Sequence, residues 1–113
     1  MSNDTNLSLA EEQAFQLSQA AIALDQARSD RGDLSKLAVA LESNLEAWVA
    51  LKTIVAAEGC LLPDAVKDNL RRLASFVADR TLQGGENMAD ATIDALININ
   101  LQISEGLLEG ASK

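Results

Sequence analysis

The sequence predicts an all-α fold, a small bundle of about four amphipathic helices. Three observations lead there. Apolar residues recur at steps of three and four along most of the 113-residue chain. Cap-like residues and glycines divide that pattern into four segments. The one stretch that alternates apolar and polar residues, 97–104, has no second strand elsewhere to pair with, so a sheet cannot be assembled.

Ser8-Leu9-Ala10-Glu11 fits a capping box and predicts the start of the first helix. Its apolar stripe is Ala10, Ala14, Leu17, Ala21 and Leu24, with Phe15 and Ile22 beside it. The helix is expected to stop near Arg28, before the polar turn Ser29-Asp30-Arg31-Gly32. Asp33 then caps a second helix, its carboxylate accepting from free first-turn amides. The stripe there is Leu34, Leu37, Leu41, Leu45, Trp48, Leu51 and Val55, and Gly59 is placed to end it in a left-handed conformation. Pro63 suits the first turn of a third helix, where its missing N–H goes unneeded. Asp64 and Asp68 sit toward the positive end of that helix's dipole. Val66, Leu70, Leu73 and Val77 form its stripe, and Gly84-Gly85 ends it.

A fourth helix is expected from about Asn87, with Ile93, Leu96, Ile97, Ile99, Leu101, Ile103, Leu107 and Leu108 as its apolar residues. They wrap around more than one face, beyond what a single packing layer needs. The stripe Ile93, Leu96, Asn100, Ile103 and Leu107 is the expected core face, and Ile97, Leu101 and Leu108 form an adjoining line available to a partner. Asn98 and Asn100 differ by about 200° around a helix, so one is expected inside the bundle and the other outside. The chain is expected to be one domain over residues 1–113, with 1–7 and 109–113 as flexible ends.

Composition bounds the function. The chain is 48% hydrophobic, too apolar for a disordered protein, and its three aromatic residues (Phe15, Trp48 and Phe76) leave Leu, Ile, Val and Ala to build the core. A net charge of −8 disfavours nucleic acid and anionic membranes, and the one basic pair, Arg71-Arg72, reads as a solvated helix face. The single cysteine, Cys60, cannot form an internal disulfide and reads as a small buried hydrophobe. The first seven residues lack a basic and apolar leader, and no apolar run reaches the ~20 residues of a membrane span. A cytoplasmic protein is expected.

The absence of histidine excludes Ser-His and Cys-His catalysis and the usual zinc sets, and no phosphate-cradling glycine loop occurs. Acidic pairs at helical spacing, Asp90 with Asp94 and Glu42 with Glu46, read as solvated charges rather than a metal site. The expectation is therefore no enzyme, no cofactor and no metal. Trp48 falls on the stripe with Leu45 and Leu51, which makes it a core anchor. As a tryptophan it is also a candidate partner contact.

One resemblance goes further than composition. Asn44-Leu45 with Trp48, Leu62-Pro63 with Val66 and Leu70, Ser75 with Val77, and Leu96-Ile97 through Asn100 to Gly106-Leu107 occur in an order and spacing that resemble the FlaF family of flagellar biosynthesis regulators. The resemblance spans roughly residues 34–108. Phe76 stands where some relatives carry a second tryptophan, and the first helix lacks the N-terminal tyrosine associated with the family. What the resemblance implies is a helical protein that supports flagellin synthesis and secretion. The implied partner is flagellin, bound as by an export chaperone. The alternative it implies is regulation of flagellin translation together with a second regulator, FlbT. An unrelated helical interaction module, or a homodimer through the surplus apolar surface, remains open on the residues alone.

Overall fold

A computed structural model describes the backbone of residues 2–60 and 62–111, and the side chains of residues 11–60, 62–85 and 87–109. The architecture is all-α, without strands among the described residues: α1 (Ser2–Ser29), α2 (Leu34–Ala56), α3 (Asp64–Gly84) and α4 (Asp90–Ala111), with a short 3₁₀ turn, Gly85–Asn87, between the last two. The 97–104 segment is helical, as the lack of a pairing strand required.

α1 is the long member, 28 residues and therefore about 42 Å, and it sets the longest dimension of a body measuring 47 × 21 × 18 Å. It packs chiefly on α4 and also on α2, while α3 packs on α2. The order of contacts shows α1 and α4 to be antiparallel: Ala14 meets Ser104, Leu17 meets Asn100, and Arg28 meets Asp94. Close approach of these two helices follows from small residues. Ala14, Ser18 and Ala21 on α1 leave room for α4 to bring side chains within hydrogen-bond reach of the α1 backbone.

One contiguous core joins all four helices. Leu17, Leu24, Leu37, Leu41, Trp48, Leu51, Val55, Leu70, Val77, Ile93 and Leu96 are buried in it. At ~1.5–3 kcal/mol for each large apolar side chain removed from water, this cluster supplies the main drive to fold. Leu34, Leu45 and Val66 of the expected stripes fall outside it, Leu45 being half-buried at the groove between α2 and α3, and the side chain of Ala10 lies outside the described residues. Leu34 and Val66 are exposed, each in the first turn of its helix.

Helix boundaries show where local chemistry decided and where it did not. Asp33 caps α2 as expected, its carboxylate accepting from the Lys36 N–H at 3.2 Å and from the Ser35 hydroxyl at 2.7 Å. Gly85 ends α3 with a left-handed φ of 50°, which glycine adopts without Cβ penalty. A Cβ on Gly84 would stand 3.3 Å from Met88 Cβ, so glycine there lets Met88 fold back into the core.

Four expected boundaries move. α1 starts at Ser2 rather than Ser8, since a Ser-x-x-Glu spacing is as compatible with a helix interior as with a cap. α2 ends at Ala56, where Ala57 turns extended (φ −70°, ψ 143°), so Gly59 has no left-handed role. Pro63 sits just outside α3 as its N-cap, not within its first turn. α4 begins at Asp90, because the 3₁₀ turn takes up Gly85–Asn87 and Met88 is committed to the core. α4 continues through Ala111, and Met1, Ser112 and Lys113 lie outside the described residues. Cys60 is half-buried in the turn after α2.

The cap yields a pH-dependent prediction. The Ser35 hydroxyl and then the Lys36 backbone N–H hold the Asp33 carboxyl below its ordinary range. A lowered folded-state pKa gives stability that is present above the unfolded pKa and is lost as pH falls through the folded one. Asp33→Ala is expected to lower the melting temperature at neutral pH. The gap to the parent should close as pH falls through the acid range, read by thermal melts across a pH series.

Candidate partner-binding surface

A buried polar node lies at the centre of the bundle and determines which residues remain outside. Asn100 on α4 is fully buried. Its Oδ1 accepts from Trp48 Nε1 at 2.8 Å, and its Nδ2 donates to the Leu17 carbonyl at 3.1 Å and to Asn44 Oδ1 at 2.6 Å. One amide therefore ties α4 to α1 and to α2. The Leu17 oxygen already serves the α1 helix and uses its second lone pair here.

One turn further along α4, the Ser104 hydroxyl donates to the Ala14 carbonyl at 2.8 Å. Since that hydroxyl has a single proton, the 2.8 Å contact between Ser18 and Ser104 has Ser18 as donor. Asn44 and Trp48 stand four apart on α2, as Asn100 and Ser104 do on α4, so both pairs share a helix face. Among the described residues Asn44 Nδ2 has no hydrogen-bond partner.

The node fixes the rotation of α4. Ile93, Leu96 and Asn100 are buried, and Ile103 and Leu107 are half-buried against the core, as the sequence pattern implied. Asn98 faces outward, again as implied, and Asn100 takes a helix carbonyl and two side chains as partners. Leu101 (46% exposed) and Leu108 (47%) lie seven residues apart on one outer line. Ile97 departs from that line: it is partly buried and packs against the core. Trp48 is 1% exposed and hydrogen-bonded, so it is a core anchor that offers no surface to a partner.

Leu108 lines a shallow groove of about 550 Å³ between α1 and α4, together with Glu11, Glu12 and Phe15. Phe15, 62% exposed, is a ridge: it also lines a groove of about 430 Å³ between α1 and α2, whose floor is the alanines Ala20, Ala23 and Ala47. Periodicity alone set Phe15 beside the core stripe and gave no sign that it stands between two grooves. A smaller groove of about 170 Å³ lies between α2 and α3.

The carboxylates of one acidic pair, Asp90 and Asp94, face arginines. Asp94 pairs with Arg28, and Asp90 Oδ1 lies 3.7 Å from Arg31, whose Nη2 also donates to the Met88 carbonyl at 2.9 Å. These contacts clamp the start of α4 to the end of α1. Among the described residues no helix is long and apolar enough to cross a membrane.

Comparison with known proteins adds one match. The family model described as flagellar protein FlaF matches residues 3–107, so it includes α1, which the motif resemblance had left uncovered. No curated protein and no solved structure matches the chain.

The node predicts an order of mutational effects. Asn100→Ala strands the Trp48 N–H and the Asn44 amide oxygen and opens a cavity, for an expected loss of about 3 kcal/mol or more at ~1–3 kcal/mol per buried unpaired group. Asn44→Ala removes one bond and should cost less, about 1–2 kcal/mol. Urea denaturation gives both values. Equal losses would show that Asn100 is not the shared partner.

Proposed function

Because the chain belongs to the FlaF family of flagellar proteins, we propose that it supports flagellin synthesis and secretion by binding flagellin as an export chaperone. The observation that carries this reading is the exposed apolar line of Leu101 and Leu108 on α4, with Leu108 lining a groove beside Phe15, on a helical frame of net charge −8. Flagellin's terminal regions are amphipathic helices that would aggregate if left exposed. An amphipathic helix laid in a groove buries its apolar face there. The acidic frame keeps the carrier soluble while its own apolar groove is open.

Helix-in-groove binding needs no catalytic group, and the proposed role is not enzymatic. Regulation of flagellin translation through direct RNA contact is disfavoured by charge. Arg71 and Arg72 are exposed on α3, and Arg71 pairs with Asp68 at 3.2 Å, which takes one of the two adjacent cations from any phosphate. Action through FlbT would instead be a protein contact.

The test is a pull-down of purified protein against flagellin, FlbT and flagellin leader RNA. Flagellin is expected to be retained and the RNA not. Retention of FlbT or RNA without flagellin would replace the chaperone reading with the regulatory one. A paired substitution locates the face. Leu101→Asp should cost only ~0.5 kcal/mol in stability, as exposed changes usually do, and should lose flagellin. Leu96→Asp places an unpaired charge in the core and should unfold the protein. Circular dichroism separates the two outcomes.

A further inference from the structure

We propose that the groove between α1 and α4 is the docking site for an amphipathic helix whose apolar stripe is flanked by lysine or arginine. The argument rests on charge. From Glu11 to Ala27 on α1, and from Asp90 to Glu109 on α4, there is no basic residue. Toward the other end of α1 the carboxylates are compensated: Asp25 and Asp94 by Arg28, Asp90 by Arg31, Asp30 by Lys36. At the groove, among the described residues, they are not. Glu11 and Glu12 line it. Glu105 stands between Leu101 and Leu108 on the same side of α4. The next cation along α1, Arg28, is sixteen residues from Glu12, about 24 Å at 1.5 Å per residue, more than twice the ~10 Å over which salt screens charge.

Apolar walls and unneutralised carboxylates therefore coincide. Phe15 and Leu108 supply the walls, and Glu11 and Glu12 the rim. A helix of matching chemistry seats its apolar residues between the walls and brings its cations to the rim. A second copy of this chain is a poor occupant, because a two-fold contact through this face sets carboxylates against carboxylates. The groove between α1 and α2 lacks that concentration of charge. Glu46 is the one carboxylate lining its 430 Å³ portion, and its continuation past Ala23 and Ser43 carries Lys36 as well as Asp33. The proposal goes beyond the flagellin reading in fixing the chemistry of the occupant rather than its identity.

The test uses the full-length protein and two labelled 18-residue model helices with the same leucine stripe, one flanked by lysines and one by glutamates, with binding read by fluorescence anisotropy. The lysine peptide is expected to bind and the glutamate peptide not. Glu11→Lys/Glu12→Lys should weaken the lysine peptide by about tenfold and admit the glutamate peptide. Glu42→Lys/Glu46→Lys changes net charge by the same amount on α2 and should have a clearly smaller effect. Glu11→Gln/Glu12→Gln serves if the reversed pair does not fold, and should weaken the lysine peptide in the same direction. Equal binding of both peptides, or equal loss from the α1 and α2 reversals, would overturn the proposal. Flagellin and the lysine peptide that each bind the parent and Glu11→Lys/Glu12→Lys alike would also overturn it while leaving the flagellin reading intact. A parent that binds the lysine peptide but not flagellin would support this surface and remove the flagellin reading.

Discussion

The side-chain amide of Asn100 is the constraint on which the rest of the structure depends. It sits without solvent contact where α1, α2 and α4 meet, and each of its polar atoms has a defined partner. Apolar contacts are non-directional, so a helix with leucines and isoleucines on several sides could rotate or slide and still bury comparable area. A buried amide does not permit that freedom, because a rotated α4 would leave the Trp48 N–H and the Asn100 amide unpaired in the core. The polar node thus converts an ambiguous apolar helix into one with a single rotation and register.

That rotation has a functional consequence. With Asn100 and Ser104 held against α1, Leu101 and Leu108 point outward, and Leu108 stands in the groove with Phe15, Glu11 and Glu12 of α1. The same helix serves as core element on one side and as exposed apolar surface on the other. At the far end, Arg28 and Arg31 secure the start of α4 to α1 through Asp94, Asp90 and the Met88 carbonyl. The exposed line is therefore carried on an element fixed along its length rather than on a loop.

Much of this was legible in the sequence, for identifiable reasons. The 3.6-residue period set the core stripes of α1 and α2, and the 200° separation of Asn98 and Asn100 required that one be inside. Turns and ends were less legible. Ser8 has cap chemistry but lies within α1, and Gly59 has helix-stop chemistry but follows a helix that had already ended at Ala56. Local signals of this kind are permissive, and tertiary packing chooses among them. The burial of Met88 delays α4 by a few residues in a way no pattern in 87–90 announces. Leu34 and Val66 obey the period yet are exposed in the first turns of their helices, which only the assembled bundle shows. Phe15 was seen as a neighbour of the core stripe. That it stands between two grooves depends on where α2 and α4 flank α1.

The central claim is that α4 holds the fold with its Asn100 face and engages a partner with its Leu101–Leu108 face. A methyl and indole NMR titration of the labelled protein with flagellin addresses both faces in one measurement. The account predicts shifts at the Leu101 and Leu108 methyls, with the Trp48 indole N–H resonance unmoved because its bond to Asn100 persists. Shifts confined to α3, or a Trp48 indole resonance that moves before those methyls do, would contradict it.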